Sequence, residues 1–210
     1  RTDFRGEIIQ TNHQVGFANF SNYQDRKEYF IEGNKAYEDE LVRLALNECL
    51  QRQNIVSLEA RICPKNTSLK LYQALKNYVY IVKKQIEDGN IEEGEKAYSK
   101  LKYVLYFPKL FDADFVPGVP RNDNVRTRSA RQAKSIVALL EKRMEINNQL
   151  KGIDACSSEL ACRPEVFGQV FRYLSDTAVI CRETQEDTLR TVFRTKNLHT
   201  TYHAGEDFFD

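Results

Sequence analysis

The sequence predicts an α/β fold built on a parallel sheet, and three observations carry that prediction. Four short runs, Ile55 to Ile62, Lys102 to Phe107, Gly152 to Cys156 and Asn197 to His203, have strand composition. The longer stretches between them place apolar residues at helical spacing with charges on the other side. Proline or a Gly/Asn cluster punctuates several of the boundaries. Strands that alternate with helices form parallel sheets with helical crossovers, and four strands fit either an open sheet or half of a (β/α)8 barrel.

Residues 1–34 are polar and aromatic without a period, and loops with short helices are expected there. From Ala36 to Gln51, Tyr37, Leu41, Leu44, Ala45 and Cys49 make an amphipathic helix that leads into the first strand, which Pro64 closes. A second helix covers about Leu69 to Glu87 on a stripe of Leu71, Leu75, Tyr78, Val79 and Val82, and Asp88-Gly89-Asn90 ends it. Ile91 to Lys100 adds a helical piece before the apolar strand that Pro108 stops. Leu110 to Arg128 reads as a long irregular segment with a basic cluster, a loop insertion over 110–128. Helix resumes from Ser129 to Gln149, and Gly152 to Cys156 forms the third strand. Pro164 opens a further helix on Val166, Val170, Phe171 and Leu174, and Thr188 to Arg194 continues in helical or irregular form. The whole, 1–210, reads as a single domain.

With 210 residues, 41% of them hydrophobic, the chain can bury a sizeable core. Its formal charge of +1, from 31 basic and 30 acidic residues, argues neither for general nucleic-acid binding nor for an acidic partner, so any such contact would be local. No apolar run approaches the ~18 to 20 residues that span a bilayer, Arg1 to Arg5 opens no signal peptide, and no membrane association and a cytoplasmic location are expected. Five cysteines, odd in number and without a C-x-x-C pair, speak against a disulfide framework and a cysteine zinc site. Cys156 reads as a small buried hydrophobe rather than a nucleophile. The chain starts without methionine and stops at Asp210, just after its most chemical stretch, and so reads as a fragment.

In parallel α/β architectures ligands meet the carboxyl ends of the strands. Here those ends carry Glu59 and Arg61, then Lys109, then Asp154, Ser157, Ser158 and Glu159, and last His203, Glu206 and Asp207. In the final run His199, Thr201 and His203 share one face while Leu198, Thr200 and Tyr202 share the other, and Gly205 lets the chain turn into Glu206. A histidine with a carboxylate three residues on can ligate a metal and move a proton. His199 reads as a core histidine, and His13 as an exposed loop residue.

These residues add up to a resemblance. His203-Ala204-Gly205-Glu206 resembles the HAGE motif of the adenosine deaminase family, in the amidohydrolase superfamily. Gly152-Ile153-Asp154 with Glu159 is similar to that family's preceding strand motif, and Glu59-Ala60-Arg61-Ile62-Cys63-Pro64 to its E-x-R-x-x-P strand. The three occur in the family's order over roughly residues 16–210. The stretch Phe4-Arg5-Gly6-Glu7-Ile8-Ile9-Gln10 and the long insertions look closest to the adenosine-deaminase-like subunits of RADAR-type bacterial antiviral defence systems.

The resemblance implies a partial (β/α)8 TIM barrel, about strands 2 to 5 with their helices, from a Zn2+-dependent hydrolase acting on adenosine or an adenine nucleotide. It makes His203 a zinc ligand and Glu206 the proton donor to the purine ring, while zinc-bound hydroxide attacks C6. Substrate contact then falls to Ser157, where the family commonly has glycine, while Phe17 and Phe20 read equally as lids over the base by aromatic contact or as core residues. The family's first-strand H-x-H pair has no match here, and its later histidine and aspartate would lie beyond Asp210, so the chain alone is expected to be inactive and to bind zinc weakly. Arg121, Arg126 and Arg128 suit nucleotide phosphates or a partner subunit, and homo-oligomers and a defence-system partner fit the resemblance. The competing reading is an inactive deaminase-like scaffold that binds nucleic acid or a partner through this arginine-rich loop.

Overall fold

Period-two alternation in the apolar strands demands that one face be buried, and the computed structural model shows which. It describes residues 33–52, 54–91, 98–112, 117–157, 159, 162–176, 178–185, 188–195 and 198–205, with 26, 29 and 31. The strands are β1 (Leu58–Ile62), β2 (Leu101–Pro108), β3 (Leu150–Cys156), β4 (Ala178–Gln185), β5 (Thr188–Thr195) and β6 (His199–Thr200). The helices are α1 (Lys35–Leu50), α2 (Ser68–Glu87), α3 (Asp123–Lys142), α4 (Met144–Gln149) and α5 (Gly168–Asp176), the last preceded by a 3-10 turn at Pro164–Val166.

All four predicted strands pair in parallel in the order β1-β2-β3-β6, so each new strand joins the same growing edge. Helix α2 crosses from β1 to β2, α3 and α4 cross from β2 to β3, and α5 lies between β3 and β6. Leu101, Tyr103, Leu105 and Phe107 of β2 alternate into one core with Ile153, Ala155 and Leu198. Leu71, Leu75 and Val82 of α2, Ile136, Leu139 and Leu140 of α3, and Val170 and Leu174 of α5 complete that core. Each such side chain contributes about 1.5 to 3 kcal/mol when fully removed from water. The other sheet face is mostly polar: Glu59, Arg61, His199 and Thr201 are exposed on it, Lys102 and Tyr106 are half-buried, and Val104 is buried between those two.

Local signals explain most boundaries. Thr67 caps α2 by accepting from the Lys70 amide at 3.3 Å. Gly89, at φ +73°, ends that helix in the left-handed conformation, as Asp88-Gly89-Asn90 predicts. Two boundaries correct the sequence reading. Helix α3 starts at Asp123 rather than Ser129, because Asp112 accepts bonds from the Asn124 amide and side chain, each at 3.0 Å, and caps the helix start from outside. The same run then breaks at Arg143 and continues as the separate α4. Thr188 to Arg194 is strand: β4 and β5 form an antiparallel hairpin whose β4 lies along α3. Of the helical piece expected at Ile91 to Lys100, residues 92–97 lie outside the described residues.

Strand β6 closes unusually near β3. A Cβ built on Gly152 would sit 2.6 Å from the backbone oxygen of His199, its register partner. Gly152→Ala should therefore push β6 outward and cost about 1 to 3 kcal/mol, measured as a lower urea midpoint with an unchanged m-value.

Candidate active site

The carboxyl ends of β1, β2, β3 and β6 form one rim, and five of the strand-end residues singled out in the sequence, Arg61, Lys109, Asp154, Glu159 and His203, meet there. The β6 ladder outlasts the regular strand: the Thr201 amide donates to Ile153 O at 3.0 Å and the His203 amide to Ala155 O at 2.9 Å. This pairing carries His203 level with the end of β3. There its Nδ1 lies 2.8 Å from Oδ2 of Asp154, whose side chain is fully buried. The Arg61 guanidinium, from β1, bonds the same oxygen. A buried carboxylate needs such partners, because desolvation without them costs several kcal/mol. Oδ1 of Asp154 is also buried and has no hydrogen-bond partner among the described residues.

The contact to Asp154 orients the imidazole. With Nδ1 held by a carboxylate, Nε2 is the nitrogen left for a metal or substrate, which is how ligating histidines are commonly fixed. Asp154 and Arg61 were visible in the sequence as strand-end residues, but their tie to His203 was not.

A second group holds the backbone that follows. Lys109 extends the β2 ladder through a 2.7 Å bond from its amide to Cys156 O. Its fully buried ammonium donates to His203 O at 2.8 Å, lies 3.3 Å from Glu159 Oε1, and sits 4.9 Å from the centre of the Tyr202 ring. Glu159 Oε2 accepts from the Gly205 amide at 3.0 Å, and Gly205 turns the chain at φ +80°.

Ser157, the predicted substrate contact, leaves β3 at φ +87°. L-residues with a side chain rarely adopt that region, which suits glycine. The backbone at Ser157 thus has a conformation suited to glycine.

The other predicted residues are placed as follows. Glu206, Phe17 and Phe20 lie outside the described residues. His199 is exposed rather than in the core and lines a small cleft of the open face with Glu59 and Arg61. Arg121 precedes α3, while Arg126 and Arg128 belong to its first turns and not to a loop. Arg126 donates from Nε to Arg121 O at 2.9 Å and from Nη1 to Glu165 O at 3.5 Å, so two of its donors serve backbone carbonyls. Arg128 lies close enough to Cys63 to pull its thiol pKa down, though burial outweighs it and raises the value overall.

Two thiols, Cys63 and Cys162, are held protonated by burial. Burial pushes Cys162 up to about 11, beyond what nearby Arg126 and Lys109 offset, so at pH 8 it stays protonated. We expect iodoacetamide at pH 8 to alkylate Cys162 about 10²-fold more slowly in the folded chain than in urea, read by mass spectrometry.

The sequence matches no protein-family model, and no functionally curated protein matches it. The chemistry of the rim therefore stands on its own geometry.

Backbone strain at Ser157 gives a direct test. Ser157→Val should cost about 1 to 2 kcal/mol because a β-branched residue resists positive φ, whereas Ser157→Gly should hold or raise the denaturation midpoint.

Proposed function

We propose that this rim belongs to a zinc-dependent hydrolase that deaminates adenosine or an adenine nucleotide, built on a barrel-wound sheet. One observation carries the reading: within a His-Ala-Gly-Glu sequence at the carboxyl rim of a parallel sheet, the imidazole of His203 is oriented by a buried carboxylate. The strand order supports the winding, because strands added consecutively to one edge suit a barrel, whereas doubly wound sheets reverse direction at a switch point.

The donor set fits zinc in part. An imidazole with Nδ1 on Asp154 offers Nε2 as one ligand, and a catalytic zinc takes about three from protein. Among the described residues no group of three His, Cys, Asp or Glu stands close enough to hold a metal, so in this reading the further ligands come from outside them. Zinc, when bound, supplies a Lewis acid that makes water nucleophilic near neutral pH. The chain's own residues do the rest. His203 is held in place by Asp154, and Glu206 gives its proton to a purine ring nitrogen as electron density builds there during attack at C6.

Two donors of Arg126 are turned onto backbone carbonyls, which weakens the alternative that the arginines form a nucleic-acid or partner surface. Among the described residues no helix is long and apolar enough to cross a membrane.

Glu206→Gln is the decisive variant. In a polypeptide that also supplies the remaining zinc ligands, it should lower kcat for conversion of adenosine to inosine, or of an adenine nucleotide to the inosine nucleotide, by about 10² to 10⁴ while zinc content by metal analysis stays unchanged. Normal turnover by that variant would sink the assignment.

A further inference from the structure

We infer that Lys109 and Glu159 are positioning residues, a latch from β2 and the post-β3 turn that sets the backbone of residues 203–205 and so the aim of His203. The inference rests on the deaminase reading for its functional meaning but not for its geometry.

His203 and its successors are fixed from three directions. On one side the His203 amide donates to Ala155 O at 2.9 Å, which sets where the strand ends. On the other its carbonyl receives Nζ of Lys109 at 2.8 Å. Two residues on, the Gly205 amide donates to Glu159 Oε2 at 3.0 Å, and the other oxygen of that carboxylate faces Nζ at 3.3 Å. Lys109 and Glu159 therefore bracket Ala204 with one acceptor and one donor of the turning backbone. Without the bracket, the contacts described for His203 are its amide bond to Ala155 O and its side-chain contact to Asp154, and neither reaches the backbone of Ala204 or Gly205.

Stability alone is a poor account of the pair. The Lys109 side chain is wholly buried, and a buried ion pair can often be replaced by apolar side chains of similar volume without loss of stability. An ammonium does what a methylene cannot: it donates at once to a carbonyl and a carboxylate and so ties two backbone segments to one point. Pro108, just before it, lacks an amide, so the Lys109 amide makes the last bond to β3, at Cys156 O, and anchors the base of the side chain.

Lys109→Met keeps length and removes the charge, and Glu159→Gln keeps shape and weakens the pairing. In the protein, Lys109→Met should remain folded, with amide exchange over 201–205 faster by about tenfold or more and core amides of β2 unchanged. In a polypeptide that also supplies the remaining zinc ligands, its kcat for deamination should fall about 10²-fold while KM moves little, and Glu159→Gln should follow in the same direction. The double variant should be no worse than Lys109→Met, since both changes open one latch. Unchanged exchange over 201–205 in a folded variant would overturn the latch, as would exchange that quickens equally throughout the molecule. Faster local exchange with unaltered kcat would overturn the positioning role. If Lys109→Met does not fold, the exchange of Glu159→Gln decides by the same criteria. Because exchange needs no turnover, normal activity of Glu206→Gln would remove the deaminase reading without touching this result.

Discussion

A single carboxylate without access to water, that of Asp154, ties the sheet's rim together. Its charge is tolerable only because Arg61 reaches it from β1 and His203 from β6, so the central strand binds both edges of the sheet through one oxygen. The requirement also selects the register of β6. A slip of one residue would turn His203 to the helix side and bring Tyr202 or Ala204 to face Asp154, leaving the carboxylate short of a partner. Gly152 provides the matching steric term, because only a residue without Cβ lets β6 approach β3 as closely as the Asp154 contact requires.

The sheet is chemically two-sided, and this asymmetry tells where work can be done. Parallel strands covered on both faces read as continuous apolar runs. Strand β2 is mixed: Leu101, Tyr103, Leu105 and Phe107 enter the helix-side core, while the other face carries half-buried Lys102 and Tyr106 on either side of the buried Val104. Burial lowers the Lys102 amine from its ordinary value, with Lys151 adding repulsion, and burial raises the Tyr106 hydroxyl. The open face is thus already partly desolvated. At its carboxyl end the imidazole, carboxylate and guanidinium converge in a setting where electrostatic interactions are less screened than in bulk water.

Much of this architecture was legible because its signals are local. Leu71, Leu75 and Val82 announce α2 by spacing, Gly89 announces its end, and the apolar run at 102–107 is a strand on composition alone. What escaped depends on distant partners. The start of α3 is set by Asp112, a residue in the preceding loop, so the Arg126 and Arg128 region looked irregular. The hairpin strands carry Arg182, Glu183, Arg190 and Arg194 among their β-branched residues, and this charge concealed their pairing. In the site, the sequence placed Arg61, Lys109, Asp154, Glu159 and His203 at strand ends. Which of them touch is a matter of register between segments 93 residues apart, as for Arg61 and Asp154, and no single-sequence pattern encodes that.

The costs in the structure are not evenly spread, and their distribution is itself informative. Helix α2 obeys local rules, with a side-chain cap, an apolar stripe and a left-handed glycine where a stop is needed. At the rim the rules are broken together. Asp154 holds the one charged atom among the buried, unpartnered side-chain atoms of the described residues, Ser157 takes a backbone conformation suited to glycine, and Lys109 keeps an ammonium fully buried. Asn122, the other non-glycine residue at positive φ among those described, is of a type that tolerates it, so Ser157 is the sharper exception. Local strain and buried charge persist where the surrounding fold over-determines them, and they cluster at functional sites. Three such departures fall within one strand-end rim, around the histidine that the sequence motif singles out, and their clustering is a physical ground for the proposed site that does not depend on the motif.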